Sequence, residues 1–162
     1  MTEWRALTDV EIVELATRLW SLTWPSPLDD VPQLAATFGW KVITARPEWV
    51  MLDAGFGLSS GKVQGRDGLA MELMVRVTDF VAEDAAGRTR ILDEFVRITT
   101  VLTGAIGEPT TRIPGASPEL RWAGEQSSLV LRDLEVSVQL ALVANSWLTA
   151  HDEAVALEQG QS

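Results

Sequence analysis

The sequence predicts an α+β domain: one antiparallel sheet built from two β-meanders, with a long central helix and terminal helices packed on one face. Apolar and polar residues alternate over 69–78 and again over 136–142, which is typical of strands with one buried side. Between these segments, residues 83–106 carry apolar side chains at helical spacing. Strands that come in runs, rather than one by one between helices, favour an antiparallel sheet over a parallel one.

Two helices are expected before the first strand, over 8–23 and 31–38. Thr8 and Glu11 form a T-x-x-E capping box, in which each side chain accepts a hydrogen bond from the backbone N–H of the other residue. Gly39 is expected to end the second helix, because glycine readily adopts the left-handed conformation found just after helix C-termini.

Each meander is expected to contain three strands. The predicted strands of the first meander are 40–44, 49–53 and 69–78, and those of the second are 120–122, 129–132 and 136–142. A linker rich in proline, over 107–118, follows the central helix, and a final helix begins near residue 146. The order of elements indicates a weak internal duplication of a β-β-β-α unit.

The chain has 162 residues, about the size of one domain. We predict a single domain over 1–157 and a disordered tail over 158–162. The first residues, Met1-Thr2-Glu3-Trp4-Arg5-Ala6, do not have the pattern of a secretory signal, and no apolar run is long enough to span a bilayer. A cytoplasmic location is therefore expected.

The chain is acidic, with a net charge of −10 at pH 7. Binding to nucleic acid or to anionic lipid needs clustered basic residues, so we predict neither a nucleic-acid nor a membrane partner. The acids are spread along the chain, which is typical of a solubilising surface and also of a surface that docks on a basic protein. The sequence leaves the oligomeric state open.

Reactive side chains are scarce. The chain has no cysteine and one histidine, His151, which lacks a second histidine at zinc-binding spacing, so we predict no metal site and no cofactor. The glycine-rich segment 55–61 differs from a dinucleotide fingerprint in its spacing and is interpreted as a bent hairpin. Asp53 and Glu72, on neighbouring predicted strands, are the remaining candidates for a catalytic carboxylate pair.

Two of the seven tryptophans occupy comparable places in the two meanders. Trp49 and Trp122 each lie near the start of a strand, after a loop that contains proline. If both lie on the open side of the sheet near Phe56, they form an aromatic patch of the kind that dominates binding energy; the alternative is that they are core residues. The predicted partner-binding residues are Trp49, Asp53, Phe56 and Trp122.

Three segments together resemble an uncharacterised actinobacterial family of small acidic proteins: 49–57, 75–80 and 121–124. The resemblance covers roughly residues 3–155 and implies a Streptomyces-like cytoplasmic source. Small acidic α+β proteins of this kind are similar to immunity proteins, which neutralise toxins of competing bacteria, by size, charge and class rather than by motif. The order of elements is also similar to that of secretion-chaperone-like folds.

These observations favour a non-enzymatic protein-binding domain, most simply an immunity-like inhibitor whose partner is a basic toxin domain. One alternative is a dimeric, secretion-chaperone-like binding module with an apolar two-fold interface. Another alternative is a hydrolase in which Asp53 and Glu72 face one pocket.

Overall fold

A computed structural model describes residues 3–160 of the chain. The described helices are α1 Asp9–Trp20, α2 Val31–Phe38, α3 Ala85–Ile106 and α4 Asn145–Gly160, with a 3₁₀ helix at Leu28–Asp30. The described strands are β1 Ser26–Pro27, β2 Lys41–Ala45, β3 Trp49–Asp53, β4 Gly61–Arg66, β5 Leu69–Arg76, β6 Thr111–Ile113, β7 Glu119–Ala123, β8 Ser127–Asp133 and β9 Val138–Ala144.

All described strands belong to one antiparallel sheet, in the order β2-β3-β4-β5-β9-β8-β7-β6, with β1 pairing only with β5. Each meander is therefore a run of neighbouring strands, and the two runs meet where their last strands, β5 and β9, pair along 72–76 and 139–143. The predicted α+β class and the antiparallel sheet are confirmed. Each half contains four strands of the main path and leads into a helix, α3 or α4.

Strand β4 was not predicted, because its glycines favour a loop when the sequence is taken alone. In the structure these glycines allow neighbouring strands of the sheet to approach closely. A Cβ atom on Gly61 would lie 3.0 Å from the Cβ of Leu52 on the next strand. At Gly65 the pairing with β5 shifts register, and an added Cβ would lie 2.1 Å from the carbonyl oxygen of Leu69. The glycines therefore mark a bulged, tightly packed strand.

Gly65→Ala is expected to lower the free energy of unfolding by about 1–3 kcal/mol, because the new methyl group overlaps backbone that cannot easily move. Gly104→Ala is the matched control, since an added Cβ on Gly104 of α3 meets nothing within 4 Å. Alanine there is expected to stabilise the helix by about 0.5–1 kcal/mol. Urea denaturation of both variants checks the prediction, and a neutral Gly65→Ala would contradict it.

The main core lies between one face of the sheet and helices α1 and α3. Its fully buried members include Ile12, Leu19, Leu73, Ile91, Ile98, Leu102, Leu129, Leu131, Leu140 and Leu142. The predicted capping box is confirmed: the Thr8 hydroxyl accepts from the Glu11 N–H at 3.2 Å, and the Glu11 carboxylate accepts from the Thr8 N–H at 2.9 Å. These bonds also lower the pKa of Glu11.

The last helix, α4, lies on the other face of the sheet. Leu148 of α4 packs against Val130 of β8 and against Ala141 and Val143 of β9. Alternation along a strand places these residues opposite those of the main core. The predicted placement of all helices on one face therefore holds for α1 and α3, whereas α4 lies opposite them, because β9 is apolar on both faces.

Helix α4 continues to Gly160. Gln161 and Ser162, the last two residues of the predicted disordered tail, lie outside the described residues. Met1 and Thr2, the first residues of the predicted domain, also lie outside them. Among residues 3–160, no helix combines the length and apolar character that crossing a membrane requires.

Candidate functional site

Trp122, one of the predicted partner-binding residues, lies in the main core. Its side chain is 3% exposed, and its indole N–H donates to the carbonyl oxygen of Gly107 at 2.8 Å. Leu120 and Trp122 point to the core side of β7, so Trp122 does not lie on the same face as Trp49. The prediction of a shared Trp49–Trp122 patch is wrong, because the similar positions in sequence correspond to opposite sides of the sheet.

Trp49 lies on the opposite side of the sheet from the main core, in the half formed by β3, β4 and β5. We call this surface the Trp49 face; its partly exposed residues are Trp49, Met51, Asp53, Lys62, Gln64, Met74 and Arg76. Met51, Lys62 and Met74 pair across the three strands, and the Lys62 ammonium lies 5.7 Å from the centre of the Trp49 ring. The surface therefore combines an aromatic ring with flexible, apolar methionines.

Asp53 ends β3 at the other end from Trp49, and Phe56 lies in the loop that leads from there to β4. The Asp53 carboxylate accepts from the Gly55 N–H at 2.9 Å, which shapes the loop. The Arg76 guanidinium donates to the Phe56 carbonyl oxygen at 2.6 Å and lies 4.0 Å from the ring centre of Phe80. Burial lowers the pKa of Arg76. Asp53 therefore shares a face with Trp49, while Phe56 borders it.

The predicted carboxylate pair is not formed. Gln64 of β4 pairs with Trp49 of β3 on one side and with Glu72 of β5 on the other. Glu72 is therefore in register with Trp49, at the start of β3, whereas Asp53 is at its end. The two carboxylates are separated by about 13 Å along the strand direction and by two strand spacings. Glu72 lines a cavity that Asp53 does not reach. The structure thus contradicts the hypothesis that Asp53 and Glu72 face one pocket.

Glu72 instead takes part in a polar network beneath α4. Both of its carboxylate oxygens accept: one from the Trp147 indole N–H at 3.2 Å, the other from Nη1 of Arg132 at 2.7 Å. Nη1 of Arg132 also donates to the Gln139 amide oxygen at 2.9 Å. Glu72 is 8% exposed, so its carboxylate has little contact with water. The hydrogen bonds from Trp147 and Arg132 replace the hydration that burial removes.

The network continues toward the far edge of the sheet. Glu119 accepts from Nε of Arg132 at 3.2 Å and from Nε of Arg121 at 2.6 Å. The Arg121 guanidinium also binds both oxygens of Asp152 on α4, at 2.7 and 2.9 Å. The hydrogen bond to Asp152, with that to Glu119, raises the pKa of Arg121, and the same contact with Arg121 lowers the pKa of Asp152. This bidentate pair fastens α4 to β7.

We expect the Asp152 contact to stabilise α4 at neutral pH and to be lost in acid. A lowered pKa in the folded state means that the contribution is present above the ordinary pKa of about 3.9 and disappears as the pH falls through the folded-state pKa. Because the Asp152 side chain is 48% exposed, the contribution is expected to stay below about 1 kcal/mol. Hydrogen exchange of the α4 amides in Asp152→Asn should be faster than in the wild type at pH 7.

The same comparison at low pH gives the control for this prediction. Once the pH has fallen below the lowered folded-state pKa of Asp152, the two proteins should exchange alike, because Asp152 is then protonated in both the folded and the unfolded state. Glu153→Gln, which changes the neighbouring exposed acid, should follow the wild type throughout. A difference between Asp152→Asn and the wild type that persists unchanged to pH 2 would contradict the assignment.

A cavity of about 740 Å³ lies between the start of α4 and the hairpin that joins β4 to β5. We call it the α4 cavity; its lining residues are Gln64, Arg66, Asp67, Leu69, Met71, Glu72, Arg132, Ser146, Trp147, Leu148, Ala150 and His151. Trp147 forms one wall, and the Arg66 guanidinium lies 5.4 Å from its ring centre. Sequence patterns did not reveal this site, because the strand residue Glu72 and its partners Arg132 and Trp147 are 60 and 75 positions apart in the chain.

Among residues 3–160, no group of three or more histidine, aspartate or glutamate side chains is placed to hold a metal ion. His151 is exposed at the rim of the α4 cavity. The carboxylate of its neighbour Asp152 accepts hydrogen bonds from Arg121.

Comparison with known proteins places most of the chain in one family. The sequence profile of a family described as "Family of unknown function (DUF6301)" matches residues 10–144, from α1 to the end of β9, so α4 lies beyond the matched region. No curated protein and no solved structure matches the chain. The chain therefore belongs to the DUF6301 family of unknown function.

Proposed function

We propose that this protein is a non-enzymatic inhibitor of the immunity type, which holds a basic protein against its Trp49 face. The observation that carries the proposal is the partial exposure of Trp49 and Met51 on this half of the sheet, near Met74, which also packs against the cluster around Leu148 of α4. Tryptophan is the residue most enriched among binding hot spots, and methionines adapt their shape to a partner.

The net charge of the whole molecule, rather than that of the Trp49 face, favours a basic partner over an acidic one. The net charge of −10 is spread over the molecule, whereas the Trp49 face itself carries Lys62 and Arg76 beside Asp53. In the proposal, the field of the whole molecule accelerates the encounter with a basic protein, and apolar contacts at Trp49 hold the complex. The association rate should therefore fall steeply as salt is added, with a smaller effect on dissociation.

The proposal also includes the finer implications of the sequence resemblance: an actinobacterial source, action in the cytoplasm, and a toxin domain as the basic partner. The analogy with immunity proteins is one of size, charge and class, since different functions share such folds. A toxicity assay therefore tests it better than any structural comparison.

The test is co-expression of this protein with each protein encoded by the genes beside its own, with cell growth as the readout. Wild-type protein is expected to restore growth in the presence of one toxic neighbour, and Trp49→Ala to lose this effect while remaining folded. Val10→Ala is the control, because Val10 is 76% exposed on α1, on the other side of the sheet, and should rescue like the wild type.

Two outcomes would contradict the proposal. One is rescue by Trp49→Ala as complete as that by the wild type, which would place the interface elsewhere. The other is the absence of rescue for every neighbour together with a stable dimer in sedimentation that Trp49→Ala dissociates, since the Trp49 face would then bind a second copy of the chain.

A further inference from the structure

The α4 cavity has a volume within the range of small-molecule sites, about 300–1,000 Å³. Its walls are largely apolar, with Leu69 and Met71 on the hairpin side and Trp147 and Leu148 on the helix side. Such a lining favours an organic ligand with a ring or a branched apolar group. The polar groups of the cavity then decide which charge that ligand carries.

Positive hydrogen-bond donors remain available in the cavity after the internal contacts are counted. An arginine has five N–H donors. Arg132 uses Nε for Glu119 and Nη1 for Glu72 and Gln139, and its Nη2 makes no hydrogen bond with any residue of the described range 3–160. Arg132 is largely buried, with a side chain 18% exposed, and it lines the cavity.

Arg66 adds a second cation at the same place. Within residues 3–160 its guanidinium has no ion pair, and it lies over the Trp147 ring. The buried carboxylate of the cavity, unlike these arginines, already has hydrogen-bond partners, because both oxygens of Glu72 accept hydrogen bonds. A ligand therefore meets free donors and a satisfied buried carboxylate. The chemistry favours an anionic acceptor over a cationic donor.

We propose that the α4 cavity binds a small organic monocarboxylate with an aromatic ring. The carboxylate accepts from Nη2 of Arg132 and from Arg66, and the ring packs between Trp147 and the apolar side chains of the hairpin. Asp67 at the rim disfavours a second negative charge, which limits the ligand to one. This site adjoins the Trp49 face, with which it shares Gln64, but it does not depend on the function proposed for that face.

The probes are benzoate, naphthalene-2-carboxylate and indole-3-acetate, each compared with its neutral carboxamide. Binding is followed by calorimetry and by NMR of the methionine methyl groups of the full chain. Met71 lines the cavity and Met51 lies on the Trp49 face, so the Met71 signal should shift with the acids and the Met51 signal should not. At least one acid should bind about tenfold or more tightly than its amide, as loss of a charged hydrogen bond implies.

Arg66→Gln is the main variant, because Arg66 is exposed and its replacement leaves the buried network intact. It is expected to weaken binding of the acid about tenfold. Arg112→Gln, an exposed arginine on β6 at the far edge of the sheet, should bind like the wild type. Three results would each overturn the proposal: no acid shifts Met71, the amides bind as tightly as the acids, or Arg66→Gln leaves acid binding unchanged.

Discussion

Replacing Asp133 with alanine is expected to lower the free energy of unfolding by about 1–3 kcal/mol, because it removes a buried acceptor that the Arg88 guanidinium and the Glu135 N–H share. Asp133 ends β8 and is 0% exposed. One carboxylate oxygen accepts from Nη1 of Arg88 at 2.7 Å and from the Glu135 N–H at 2.8 Å. The contact with Asp133 also raises the pKa of Arg88. The residue therefore joins α3 to the turn between β8 and β9.

Two further variants distinguish the loss of a buried carboxylate from the loss of an exposed ion pair. Arg112→Ala breaks the exposed pair with Glu108 and is expected to cost less than about 1 kcal/mol. Asp133→Asn keeps one acceptor and should be intermediate, since the second oxygen of Asp133 has no partner among the described residues. Urea denaturation gives all three values. A loss for Asp133→Ala no larger than that for Arg112→Ala would contradict the assignment.

Trp122→Ala is expected to cost more, about 3–5 kcal/mol, because it removes the largest side chain from the core side of β7 and leaves a cavity. It also removes the donor to the carbonyl oxygen of Gly107, the residue that follows α3. Trp49→Ala should cost about 1 kcal/mol or less by the same measurement, since Trp49 is partly exposed and has no indole hydrogen bond to another described residue.

A conservative variant tests which part of Trp122 matters. Trp122→Phe keeps an aromatic ring in the core and loses the hydrogen bond, so its cost should lie between the two alanine values, at about 1–2 kcal/mol. If urea denaturation shows that Trp122→Ala and Trp49→Ala lower the free energy of unfolding equally, this would contradict the assignment of Trp122 to the core and Trp49 to the surface.

The helices could be predicted well because their signals are local. The Thr8 capping box, the left-handed Gly39 and the apolar spacing over Ala85–Ile106 act within a few residues of one another. Strand β3 was predicted at its observed bounds for the same reason, since β-branched and aromatic residues between turns favour a strand.

The remaining features depend on contacts between distant segments. Gly61 and Gly65 favour a loop until the neighbouring strands that approach them are known. The side of the sheet that Trp122 faces depends on the register with β8, and the pairing of Glu72 with Arg132 joins residues 60 positions apart. The sequence alone therefore indicates Trp49 as a candidate residue but does not indicate the α4 cavity.

The most direct test of the central claim, that the Trp49 face binds a basic protein, is the dissociation constant of the partner identified by growth rescue. We predict that Trp49→Ala weakens binding by about 2 kcal/mol, close to thirtyfold. Trp122→Phe, which alters only the core, should bind like the wild type. Equal affinities for the wild type and Trp49→Ala would contradict the claim.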